Sequence, residues 1–229
     1  MADMQVASRR NPTMTRENGS LYAWANPAGA LVAMSFKDAM VAAGYGFHVT
    51  VGALTTPIVG GGAGTVLVIA TPELIISVPS GTAIMPIRIK VDCELPADLD
   101  NDIEEIVIAV DRTQALTSGG TSTTEVAFNM RSDNPTTSLC SVYSAVTVTV
   151  APTPVHGIEL ARKQEHTNLL TAGITQGFMD LLYEPLHPPI IVGPANVSVM
   201  FGGVTAMSGF INAQWVEMPE ALNSLWGGS

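Results

Sequence analysis

Charge is what this sequence has least of. Only 13% of its 229 residues are Asp, Glu, Lys or Arg, about half the usual share. So few charges leave much apolar surface on any folded form, and bare apolar surface ordinarily marks an interface. The composition therefore predicts an oligomer or a member of an assembly. Basic residues are scarcer than acidic ones, 10 against 20, for a net charge of -10. That field repels phosphates, so nucleic acid is not an expected partner. Cysteine is nearly absent: Cys93 and Cys140 could form one disulfide if their α-carbons came within about 7 Å, and otherwise read as small buried hydrophobes with free thiols. Long apolar runs are missing too. Residues 21–36 come closest, but Asn26-Pro27 and Gly29 interrupt them and Lys37-Asp38 close them, so no membrane span is expected. No compact apolar stretch follows Arg9 and Arg10, and no secretory signal is expected.

The residue sets that chemistry needs are also thin. The four histidines, His48, His156, His166 and His187, form no His-x-His or Glu-x-x-His pair and adjoin no Gly-x-Ser-x-Gly turn. Neither cysteine has a neighbouring base or cationic environment to activate it. Gly60-Gly61-Gly62-Ala63-Gly64 precedes a strand and lacks the lysine of a phosphate-binding loop. Asp98, Asp100 and Asp102 are spaced like calcium ligands, but Ile103 and Ala109 stand where that loop needs glycine and glutamate. Glu104 and Glu105 are adjacent, and adjacent strand residues point to opposite faces. An aromatic share of 6% argues against a sugar-stacking platform. The chain is expected to be no enzyme and to carry no cofactor or metal.

What the sequence does have is alternation. Ile87, Ile89 and Val91 interleave with Arg88, Lys90 and Asp92, the period of a strand with one buried face. Pro79-Ser80-Gly81 supplies a turn before it, so the two flanking runs read as a hairpin. Phe47, Val49 and Val51 share a face, as do Ile211, Ala213 and Trp215. Further strands are expected at 106–110, 125–130, 139–150 and 190–201. Phe36 to Ala43 followed by Gly44 fits a short helix ended by glycine, with an edge strand near Leu31–Met34 as the competing assignment. The pattern weakens from 152 to 189, which reads as a long insertion with a contact role. About eight to ten one-faced strands without a βαβ rhythm predict an all-β, antiparallel sandwich of jelly-roll type. Residues 1–44 read as an extended N-terminal arm and lead-in, and residues 45–229 as a single jelly-roll domain.

Three stretches together carry a resemblance: Phe47-His48-Val49-Thr50-Val51-Gly52 with Thr55-Thr56-Pro57, the segment from Pro72 to Thr82 with Pro86, and Gly209 to Glu217. The chain resembles the jelly-roll virion proteins of tailed bacteriophages, particularly those that decorate or cement the capsid. That resemblance implies a homotrimer made in the host cytoplasm and seated on the capsid surface, bridging subunits of the major capsid protein. Low charge suits large dry contacts, where charges are costly to desolvate. Arg9, Arg10 and Arg16 are expected to help docking, and Trp24 and Trp226 to make partner contacts. The rival reading is a receptor- or glycan-binding head; its loops would be rich in Trp, Tyr and Asp, whereas the long loops here are rich in Gly, Thr and Pro.

Overall fold

The computed structural model describes residues 35–61, 67–95, 102–112, 122–134, 136–148, 157–167, 177–204 and 206–218. Within them the chain forms one helix, α1 (Phe36–Ala42), and then strands β1 (Gly46–Val51), β2 (Ile58–Val59), β3 (Leu74–Val78), β4 (Ala83–Glu94) and β5 (Asp102–Asp111). There follow β6 (Thr123–Glu125), β7 (Phe128–Asn129), β8 (Ser141–Ser144), β9 (Gly157–Thr167) and β10 (Phe178–Tyr183). The last three are β11 (Ile191–Val192), β12 (Ala195–Gly203) and β13 (Ser208–Met218). The short helix expected before Gly44 is present: Ser35 caps α1 by accepting the N–H of Asp38, and Gly44 ends it at φ +89°, where a Cβ would be strained. The edge strand considered near Leu31–Met34 lies outside the described residues.

The strands form an antiparallel β-sandwich. One sheet runs β10-β4-β13-β1-β7, with β11 beside β4 and β2 beside β13; the other runs β6-β8-β3-β12-β5-β9. Eight strands build the body, and they pair from the outside of the sequence inward: β1 with β13, β3 with β12, β4 with β10, and β5 with β9. Inward-facing residues of both sheets meet in one core, including Phe47, Val49, Leu74, Ile76, Ile108, Val199, Ile211, Ala213 and Trp215. Trp215 is fully buried and stacks on Phe47 with ring centroids 6.2 Å apart. Burying aromatic surface of this size is the largest single apolar contribution a residue makes.

The structure departs from the sequence pattern in several places. The turn after Val78 exists, with the N–H of Thr82 donating to the carbonyl of Pro79 at 3.2 Å and Gly81 at φ +81°. It does not close a hairpin, however, because β3 lies in one sheet and β4 in the other. Both sides of β3 are already taken, by β8 and β12, so the turn is a corner between sheets. Ile87 also departs from the face of Ile89 and Val91. The ladder of β4 against β13 slips between Gln214 and Trp215, whose partners are Arg88 and Pro86, leaving Ile87 as the extra residue of a bulge. A bulge reverses the facing of everything beyond it. Ile84 therefore points into the main core together with Ile89 and Val91, while Ile87 packs outside, on the small cluster of Met40, Met85 and Val216 beneath α1.

Other segments differ in extent. The run expected as one strand at 125–130 splits into β6 in one sheet and β7 in the other. The strand expected at 139–150 ends at Ser144, because Ala145 takes φ 48°. Within 152–189, the stretch expected as an insertion, lie β9 and β10, which pair with β5 and β4. The longest excursion from the eight-strand body instead separates β5 from β9 and carries β6, β7 and β8. Finally, β12 is not one-faced: all nine of its residues are buried.

Candidate functional site

The outer face of the first sheet is built by simple alternation. Beyond the bulge, β4 turns Arg88, Lys90, Asp92 and Glu94 outward, the opposite way from Ile89, Val91 and Cys93. In β10, Met179 and Tyr183 enter the core, so Phe178, Asp180 and Leu182 stand outside. In β13, Phe210, Asn212 and Gln214 alternate with the buried Ile211, Ala213 and Trp215. Register places Asp92 between Asp180 and Phe210, and Glu94 between Phe178 and Ser208. Between the rings of Phe178 and Phe210 opens a hollow of about 170 Å³ bordered by Asp92, Glu94 and Asp180. Phe178 is 77% exposed and Leu182 48%. Large apolar side chains held on a rigid sheet in the open are the mark of a contact surface. Elsewhere Leu54 and Leu186 are also nearly fully exposed.

The charges on this face are largely paired. Lys90 reaches Asp92 at 2.8 Å. Lys163, from the edge strand of the other sheet, bridges to Glu165 at 3.0 Å and to Asp180 at 3.7 Å. These exposed pairs add little stability; one of them, Lys163 to Asp180, runs from β9 to β10, and the apolar rings stay uncovered.

Beneath the face lies a buried acidic end of the sandwich. Glu73, 4% exposed, accepts the N–H of Gly61 at 2.7 Å and that of Phe201 at 2.8 Å. Burial outweighs those two bonds and raises its carboxyl from 4.5 to about 7. Glu104 is fully buried on the inward face of β5, beside the inward Ile106 and Ile108, while Glu105 faces outward to an ion pair with Arg162. The alternation expected of these two glutamates is thus what the strand imposes. Burial, followed by the charges of Glu73, Asp92 and Glu104, pushes the Cys93 thiol well above its ordinary range. Cys140 is pushed up in the same way, by burial and then by Glu217. Both cysteines are buried and unpaired, as small hydrophobes.

The residues singled out for partner contact, Arg9, Arg10, Arg16, Trp24 and Trp226, lie outside the described residues, as do Asp98, Asp100 and most of the glycine-rich loop. His48 sits on the polar face of β1, its ring 5.8 Å from that of Phe128. Among the described residues, no three of His, Cys, Asp and Glu come together in a group able to hold a metal ion. No helix among them is long and apolar enough to cross a membrane. The exposed Phe210 was legible in the sequence, since it alternates with a buried run; Phe178 fell in the stretch whose pattern is weak. Comparison with protein-family models, with curated proteins and with solved structures finds no match to this chain.

Proposed function

We propose that this chain is a virion structural protein, a capsid decoration or cement protein that binds the outer shell as a homotrimer and bridges subunits of the major capsid protein. The observation that carries the reading is the order of strand pairing. Eight strands that pair β1·β13, β3·β12, β4·β10 and β5·β9, split between two sheets, are the pairing that one long hairpin wrapped into a sandwich would give, and this supports a jelly roll of the kind viral shell proteins use. The open apolar side chains Phe178, Leu182, Leu54 and Leu186 supply surface that further copies and shell subunits would cover.

In this reading the N-terminal segment is an arm. Residues 1–34 hold three basic and two acidic residues, +1 in all, so the remainder has 7 basic and 18 acidic, or -11. Arg9, Arg10 and Arg16 would draw the arm onto an acidic neighbour or shell. The test is co-sedimentation of the purified chain with capsids of the phage that encodes it. Saturable binding that weakens when residues 1–20 are deleted is the expected result. Capsids that leave the intact chain wholly in the supernatant would contradict the proposal.

A further inference from the structure

The geometry points to a carboxylate-binding recess between α1 and the outer face of the first sheet, with Arg88 as its receptor. The recess holds about 370 Å³, within the range of sites for small organic ligands. Its apolar side is made by Val41, Ile87 and Met130, and its charged side by Lys37, Arg88, Asp38 and Glu184. The position of Ile87 follows from the β4 bulge, which turns that side chain toward α1 rather than into the core.

Arg88 is the residue that calls for a ligand. Its Nε is buried and has no hydrogen-bond acceptor. Among the described residues it makes no ion pair either, whereas Arg131 pairs with Asp133, and Arg162 with Glu105 and Glu159. A buried donor left without an acceptor is destabilising. A guanidinium presents Nε and Nη as a planar fork that a carboxylate fills with two parallel bonds. Lys37 on the rim adds a second positive charge.

The lining also selects the kind of anion. Two cations face two carboxylates, so a dianion such as phosphate would meet Asp38 and Glu184 together. A single carboxylate on a short apolar stem suits both halves: its head on Arg88, its stem on Val41, Ile87 and Met130. Two sources carry that chemistry, a free monocarboxylate or an Asp or Glu side chain of a second copy. The second source rests on the oligomer proposed above.

The test uses full-length chain labelled at arginine Nε, whose seven arginines give a small set of Nε–H signals. Butyrate is titrated at constant ionic strength, and native mass is measured in parallel for the wild type and for R88M, a variant that keeps an unbranched apolar stem. A free-ligand site moves the Arg88 signal saturably, with half-saturation on the order of millimolar, and the saturation transfer from protein to butyrate protons seen with the wild type falls at least about tenfold with R88M. A site filled by a second copy leaves the signal indifferent to butyrate, and R88M then lowers the native mass. A signal indifferent to butyrate together with an unchanged R88M mass overturns the inference. A monomer whose Arg88 signal follows butyrate would keep this site while removing the oligomer. A trimer untouched by either change would do the reverse.

Discussion

The carboxylate of Glu73 accepts the backbone N–H of Phe201 at 2.8 Å, deep in one end of the sandwich. With its other oxygen on the N–H of Gly61, this one side chain ties the segment before β3 to β12 and to the turn after β2. Its carboxyl is raised from 4.5 to about 7, so the folded state holds a proton that the unfolded chain has released. The stability it confers is fully present below about pH 4.5 and is lost as pH rises through about 7. The wild type should lose up to about 3 kcal/mol across that window relative to E73Q, which cannot titrate. Urea midpoints of both proteins at pH 4.5, 6 and 8 measure this. Parallel curves would show that Glu73 does not titrate there.

Gly203 stands opposite Glu104 across the β5·β12 ladder. A Cβ on Gly203 would lie 1.8 Å from Glu104 Oε2, and a fully buried carboxylate has no solvent to swing into. G203A should destabilise by roughly 1–3 kcal/mol, as overpacked sites do. In an E104A background much of that cost should vanish, and a double-mutant cycle reads the coupling directly. Additive effects would mean that the two residues do not share the space.

Glu217 ties β13 to the segment before β8. Its Oε2 takes the N–H of Leu139 at 2.9 Å, and its Oε1 takes the indole N–H of Trp215 at 3.2 Å and the hydroxyl of Ser138. Every partner is a donor, so an amide in place of the carboxylate must turn an NH2 toward one of them. E217Q should cost about 2–3 kcal/mol, read as a lower urea midpoint at unchanged m-value. A variant as stable as the wild type would remove Glu217 from this role.

Phe178 and Leu182 are exposed on a sheet face where Tyr183 and Met179, one residue away, are core. If copies cover this face, F178S should weaken association by roughly 10–100-fold, the cost of losing a buried aromatic contact. It should leave the urea midpoint of the dissociated chain within about 0.5 kcal/mol of wild type, as surface changes do. Dilution series by light scattering separate the two effects. Unchanged association would place the contact elsewhere.

The parts of the fold that could be read from the residues are those where one face is wet and the other dry. Phe47, Val49 and Val51, like Ile211, Ala213 and Trp215, show their strands because alternate positions meet different solvents. The β4 bulge is invisible in the sequence, where Ile87 continues the alternation that the ladder breaks. A corner and a hairpin share the same turn chemistry, so Pro79-Ser80-Gly81 could not say that β3 and β4 part company. The strands β9 and β10 hid because they are sheet edges. Edge strands carry charge against unwanted pairing, and Glu159, Arg162, Lys163 and Glu165 mask the period of β9. As for the site, Arg88 was legible as an outward residue. Its lack of a partner depends on the bulge and on α1, which only the folded chain brings together.

Open apolar surface on a chain this poor in charge, if the proposed trimer forms, is covered by copies of itself. Native mass by light scattering after size exclusion, in dilute buffer, tests it most directly. The account predicts a stable species near 72 kDa, three times the 24.0 kDa chain. A clean monomer near 24.0 kDa that persists at high protein concentration would contradict it.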